Sequence, residues 1–363
     1  MLEKGRISSF QMAMMLFPAI SATAVLIVPG VTGRYAENDM WLSPIIASIL
    51  GFITVYIAWK LHNLYPNQTV IQYSEKIFGK ICGKMVGFLY VLFCIQISGI
   101  IVREYSEFIK FNILFNTPTL VVSSSIIFLG AFAVRGGIEV IARIATVFTP
   151  LFIFPFILLL LLIPDLDMKN FLPFLENGML PVIKGAVVPQ SWFSEFFLMS
   201  FIIPFVSNKG KLLKTGMVTT IMVLLCFVYM NFIILTLLGG SRITNIYPVL
   251  TAFRYIEVVE FFENFEAAII AIWVLGNFVK LSVFLYVSSL AFSQWINLST
   301  YRPMVFVISI LIILFSYWGI PNYSELEHFI IFADSFFLTL VQTFIPLILL
   351  IIALIRKSKG ENT

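Results

Sequence analysis

The sequence predicts an all-α polytopic membrane protein of ten transmembrane helices, a five-plus-five inverted repeat with spans 1 and 6 broken. Three observations carry this prediction. Hydrophobic residues make up 60% of the 363 and charged residues only 12%, where soluble domains hold about 45–50% apolar and 25% charged residues. Apolar runs of about 20 residues, enough for a helix to cross roughly 30 Å of hydrocarbon, recur along the whole chain. Each half of the chain also opens with a span interrupted by proline.

The ten runs fall at about 9–29, 41–60, 85–109, 119–135, 143–163, 185–206, 215–239, 266–293, 303–319 and 329–355. The third carries "REYSE" at its end and the ninth is short. The first has features of a signal peptide, with "KGR" before it and "ATA" (Ala22–Ala24) within it. Its apolar character continues through Val28 and the pattern recurs later, so it is read as a span. Between spans 7 and 8, "YPVLTAFRYIEVVEFFENFE" has apolar positions at helical spacing and acids on the other side, the pattern of an interfacial amphipathic helix. "DMKNFLPFLENGMLPVIKG", between spans 5 and 6, is similar but broken by prolines.

Lysine and arginine near span ends set the orientation. With the N-terminus inside, 15 of the 23 basic residues fall on the inner side, 7 on the outer, and Lys280 within the membrane. Both termini are then cytoplasmic, which requires an even number of spans. An odd-numbered repeat inserted twice has inverted topology, so the chain reads as one transmembrane domain. Repeat 1 covers about 8–164 and repeat 2 about 185–355, with 356–363 a cytoplasmic tail.

Span 1 reads "FPAISATAVLIVPG" and span 6 "VVPQSWFSEFFLMSFIIPF". Each has an internal proline followed by small polar residues. Proline removes a helix hydrogen bond, and in a membrane the freed groups must face protein or a wet cavity. Interrupted helices at matching positions of two halves point to a transporter-type binding site. The candidate ligand-binding residues there are Ser21, Ala22, Thr23, Gln190, Ser191, Ser194 and Glu195. Ser191, Ser194 and Glu195 share a helix face at i, i+3 and i+4.

Span 8 adds Trp273, Asn277 and Lys280, which share a face with Phe284. Lys280 lies roughly a dozen residues, about 18 Å, from either end of its span, too far for its ammonium to snorkel to water. Such a residue marks a functional site by default, and Glu195, equally deep in span 6, is its natural partner. A pair that only locks helices together is the structural alternative. In the functional reading Lys280 either holds a permanent positive charge at the site, or titrates and couples ligand binding to protonation.

Other polar residues read more plainly. Glu104, Glu107 and Asp334 are expected to face headgroup water, and Glu257, Glu260, Glu263 and Glu266 a solvated or docking surface. Cys82, Cys94 and Cys226 have no paired or metal-ligand spacing. His62 and His328 are far apart at span ends. No phosphate loop, metal cluster or nucleophile–base pair is present, so no enzyme, cofactor or metal is expected, and the basic clusters imply no nucleic acid.

The opening "GRISSFQ", the first span ending "IVPG", "SEFF" of span 6, "FRYIEVVEFFENFE" running into "AIWVLGNFVKLSVFLY", and the tail "FIPLILLIIALIRK" resemble, as an ordered set, the endospore germination permease family. These are the B subunits of spore nutrient-germinant receptors, in the amino acid–polyamine–organocation superfamily. The resemblance implies a leucine-transporter-like fold, with a ligand site where broken spans 1 and 6 meet spans 3 and 8. It implies residence in the spore inner membrane, with an A subunit and a C-subunit lipoprotein as partners. Ser21-Ala22-Thr23 stands where superfamily members often carry glycines, and Ser194-Glu195 where many carry Gly-Glu. The expected function is a germinant-sensing subunit that binds a small nutrient, an amino acid or a sugar, with helix N-terminal dipoles receiving an anionic group. A proton-coupled amino acid transporter and a scaffold with a vestigial site are the alternatives.

Overall fold

The computed structural model describes residues 3–243, 245–256, 265–318 and 323–358. Among these there is no strand beyond a single bridge between Ile7 and Val206. Helices α1 (Ser9–Ala36) and α2 (Ser43–Leu64) are joined by a 3₁₀ turn, Glu37–Leu42. Then come the short α3 (Val70–Phe78) and the long α4 (Lys80–Asn112), α5 (Thr119–Gly136) and α6 (Ile138–Leu158). The second half holds α7 (Met179–Ser194), α8 (Met199–Ile202), α9 (Leu212–Leu238), α10 (Pro248–Arg254), α11 (Phe265–Trp295) and α12 (Met304–Tyr317). It ends with α13 (Tyr323–Phe329), α14 (Ser335–Thr339) and α15 (Ile345–Ser358), linked by π-helical turns at Ile330–Asp334 and Leu340–Phe344.

Among the described residues eight helical stretches are long and apolar enough to cross a membrane, and α12 is a shorter apolar helix. The first stretch, Ser9–Leu64, has 56 residues, about 84 Å of helix, or more than twice the hydrocarbon thickness. It contains both α1 and α2. The most apolar window of this stretch and that of Met179–Phe205 are each 89% buried, against 33% for Ile138–Asp165. The two segments that open the halves therefore lie innermost. Helix α1 packs on α6, α7, α9 and α11, and α11 packs also on α4 and α5. A helix that is apolar all round is one that other helices surround. Where α11 meets α6, a Cβ at Gly276 would fall 2.4 Å from the Phe152 ring, so glycine sets that close approach.

Local sequence sets the helix ends. Ser8 caps α1 by accepting from the Gln11 N–H, while the Gln11 side chain accepts from the Ser8 N–H. Thr69 and Gln72 form the same reciprocal cap on α3. Such boxes satisfy N–H groups that a helix start leaves without partners.

Span 1 differs from expectation. Helix α1 runs unbroken through Pro18 and Ser21–Thr23. A hydroxyl from α6, that of Thr149, meets the carbonyl that Pro18 leaves without a donor, so the helix need not open. Span 6 does change: α7 gives way to a 3₁₀ turn at Glu195–Leu198.

The connections also differ. Residues 166–178 form only a short 3₁₀ turn at Met168–Phe171. They are held by Asp39, whose two carboxylate oxygens accept from the Leu175 N–H, and by Trp41 stacked on Phe171. Of the stretch expected as an amphipathic helix between spans 7 and 8, α10 is helical. Glu257, Glu260 and Glu263 lie outside the described residues, and Glu266 pairs with Arg254 at 2.7 Å.

One end of the bundle is stitched by the N-terminal segment. Buried Glu3 accepts from the N–H groups of Gly5 (2.7 Å) and Ile138 (3.1 Å) and from the Tyr301 hydroxyl (2.7 Å). Ile7 exchanges two backbone bonds with Phe205 and Ser207, and the Ser9 N–H donates to the Asn208 side chain. The α5–α6, α8–α9 and α11–α12 junctions are thereby tied to one segment, and they carry Arg135, Lys209, Lys211 and Arg302 among the basic residues of this end.

Candidate functional site

Lys280 is wholly buried on α11. Its Nζ lies 2.9 Å from Oε2 and 3.2 Å from Oε1 of Glu195, a side chain only 1% exposed. The Phe284 ring, one turn on, sits 5.5 Å from the ammonium. Taking both ions out of water costs several kcal/mol each, recovered only where the geometry is close and further bonds satisfy the remaining sites. A two-oxygen contact is such a geometry.

Glu195 reaches this position because α7 ends there. Ser191 donates to the Val188 carbonyl (2.7 Å), and the single Ser194 hydroxyl lies between two acceptors, the Ser191 carbonyl (2.6 Å) and Oε1 of Gln342 (2.5 Å). Serine hydroxyls that bond back to their own helix compete with its ladder, and the turn tightens to 3₁₀ at the next residue. Gln342 comes from a π-helical turn, a device common at functional sites. The preceding π turn ends at Asp334, which is buried, with Oδ1 lacking a hydrogen-bond partner. It lies within electrostatic reach of Lys280, Glu195 and Glu104.

Above the pair, two tryptophans clamp α1. Trp273 donates to the Ala22 carbonyl at 2.7 Å, and Trp192 to the Thr23 hydroxyl at 3.2 Å. Beside them is a narrow cavity that reaches toward solvent at one end. Thr23, Glu104, Phe108 and Trp273 line it together with Gly30, Tyr247, Leu326 and Ile330. Arg34 and Glu327 also line it and pair at 2.6 Å. Their side chains are 38% and 30% exposed, whereas Thr23 and Trp273 are buried, so the ion pair marks the solvent end. The charged pair thus stands at the rim, and Thr23, Glu104 and the aromatic and aliphatic residues lie inside.

Of the residues singled out in the sequence, Ala22, Thr23, Ser191, Ser194, Glu195, Trp273 and Lys280 join this network. Ser21 does not, because its hydroxyl turns back to the Phe17 carbonyl. Gln190 is half-buried and bonds to none of the others. Asn277 is buried on α11, touching only the Trp273 carbonyl at 3.4 Å, and its Oδ1 has no partner. Two expectations are corrected. Asp334 does not face headgroup water but is buried at the centre, because the π turns rotate it inward. Glu104 lines the cavity, while Glu107 pairs with Arg103 on its own helix at 2.9 Å. Sequence reading passed over Gln342, Trp192 and Thr149, each a single polar residue in an apolar run. Among the described residues no group of three or more His, Cys, Asp or Glu could hold a metal ion.

The family model described as "Spore germination protein" matches residues 6–324. The chain is similar to spore germination protein KB of Bacillus subtilis (strain 168), at 25% identity over 100% of this chain and 98% of the relative. It is equally similar to YndE of the same organism, at 25% identity over 99% of each. Among solved structures, MhsT in complex with L-phenylalanine aligns with a TM-score of 0.59 at 16% identity, covering 95% of this chain and 98% of MhsT. The nucleobase-cation-symport-1 family transporter Mhp1 aligns at 0.59 and 14% identity, covering 90% and 74%. The fold is therefore that of the leucine-transporter-like transporters.

Proposed function

The chain belongs to the spore germination protein family, and on that premise we propose that it is the membrane-embedded sensing subunit of a nutrient-germinant receptor. It binds a small nutrient, an amino acid or a sugar, in the cavity beside Thr23, Glu104 and Trp273. Ala22, Ser194, Glu195 and Lys280 form the floor that responds. With α1 continuous, the site centres on spans 1, 3, 8 and 10 and reaches span 6 through Glu195. The ten spans form two inverted repeats, about 8–164 and 185–355, counting α1 and α2 separately and α12 as the ninth. Positive-inside logic puts the stitched, basic end and both termini in the cytoplasm, in the spore inner membrane. Partner A and C subunits carry the signal onward.

The observation that carries this reading is the contrast between the two ends. One ion pair, Arg34–Glu327, stands at the solvent rim of the cavity. At the other end a buried carboxylate with three donors and a backbone bridge hold three junctions together. A site that opens easily outward and with difficulty inward suits sensing. Lys280, held by Glu195, supplies a fixed cation where a pump would need an exchangeable one.

A proton-coupled amino acid transporter is the second reading, favoured by the transporters that share the fold. Uptake into proteoliposomes of the purified chain separates the two. Sensing predicts ligand binding without sustained accumulation. Concentrative uptake that collapses with the proton gradient would move the assignment to the transporter.

A further inference from the structure

Resting on that binding reading, and narrowing its ligand, we infer that the cavity takes a molecule with one ammonium group on an apolar body. The ammonium is recognised by Glu104, and a carboxylate is not required. The charged side chains lining the cavity are Arg34, Glu104 and Glu327. Arg34 and Glu327 satisfy each other, which leaves Glu104. Glu104 interacts with the Thr23 hydroxyl and feels the charge of Lys280, and that ammonium is already held by both oxygens of Glu195. Asp334, buried with one oxygen lacking a hydrogen-bond partner, lies within electrostatic reach of the same lysine. Glu195 holds that ammonium, and Glu104 and Asp334 act on it electrostatically, so carboxyl groups outnumber the cation and the cavity wall at Glu104 suits a second one.

The anion receptor usual for a broken helix is missing here. Helix α1 is continuous, so its N–H groups beside the cavity are spent within the helix, and the Ala22 carbonyl is taken by Trp273. Arg34 could receive a ligand carboxylate only by leaving Glu327. The walls supply the rest of the recognition. Leu26, Phe108, Trp273, Leu326 and Ile330 are apolar and outnumber the neutral polar Thr23, Asn245 and Tyr247, and the Phe108 and Trp273 rings, 4.1 Å apart between centroids, present faces that attract a cation. A sugar would bury several hydroxyls against these walls, and a buried donor or acceptor without a partner is costly.

The test uses the purified full chain in lipid nanodiscs and four probes: L-leucine, 3-methylbutylamine, 4-methylpentanoate and D-glucose. The first is the zwitterion, the next two are the same skeleton without its carboxylate and without its amine. The amine and leucine are expected to raise the thermal midpoint and compete with each other, while the acid and glucose do nothing. Glu104→Gln should weaken amine binding at least tenfold with the ligand-free midpoint preserved. Gly30→Leu should abolish it by filling the cavity, since a Cβ at Gly30 meets nothing closer than 3.7 Å. Amine binding unchanged in Glu104→Gln would overturn the inference. So would binding of the acid or glucose in place of the amine. If Gly30→Leu removed that binding, the cavity would stand as the site and only the ligand class would fall. Binding of none of the four would overturn the inference on the unmodified protein alone, while uptake or response to another nutrient would still decide the broader reading.

Discussion

Thr149 of α6 donates its hydroxyl at 2.7 Å to the Met14 carbonyl of α1, the acceptor that Pro18, lacking an N–H, leaves four residues back. One side chain from a neighbouring helix thus keeps the innermost helix whole. Thr149→Val retains the shape but strands that carbonyl in the core, at a cost of about 1–3 kcal/mol. Thermal unfolding of the purified protein should show Thr149→Val clearly below the parent and Thr149→Ser close to it. Equal midpoints for all three would mean that Pro18 is accommodated in another way.

The same contact shows what the sequence can and cannot reveal. Apolar runs, basic asymmetry and the prolines of spans 1 and 6 are local signals, and they locate the two innermost segments and the buried Lys280–Glu195 pair. Whether a proline opens a helix depends on what a helix more than a hundred residues away offers to the freed carbonyl, and no local pattern records that. Asp334 and Gln342 were illegible for a similar reason. A π turn adds a residue to the helical period and redirects a face, while leaving the apolar run intact. Glu104 looked like a span-end acid because its distance from the end of its run was short. It is the packing of α1 and α13 beside it that turns this position into a cavity wall.

The N-terminal stitch predicts a second result. Glu3→Ala leaves the Gly5 and Ile138 N–H groups and the Tyr301 hydroxyl without their shared acceptor. Hydrogen exchange should rise over residues 5–9 and 136–141 while the core of α1 stays protected. Unchanged exchange at both segments would show that the carboxylate does not hold that end closed.

Topology gives a third. Reporter fusions after Lys214 and at the C-terminus are expected to report cytoplasm, and fusions near Lys169 and Asn322 the outside. The asymmetry of 15 against 7 basic residues motivates this. A C-terminus found outside would remove the even span count and the inverted repeat with it.

The central claim is that the Lys280 ammonium held by Glu195 takes part in the response and is more than a structural tie. Each single change, Lys280→Met or Glu195→Gln, strands a buried partner, at about 3–5 kcal/mol, whereas an apolar pair can be neutral. The measurement is folded yield in detergent together with ligand-triggered germination, for each single variant and for Lys280→Met combined with Glu195→Leu. The account predicts that the double variant recovers folded yield and assembles but does not respond. A double variant that folds and germinates on ligand would contradict it and leave the pair a structural tie.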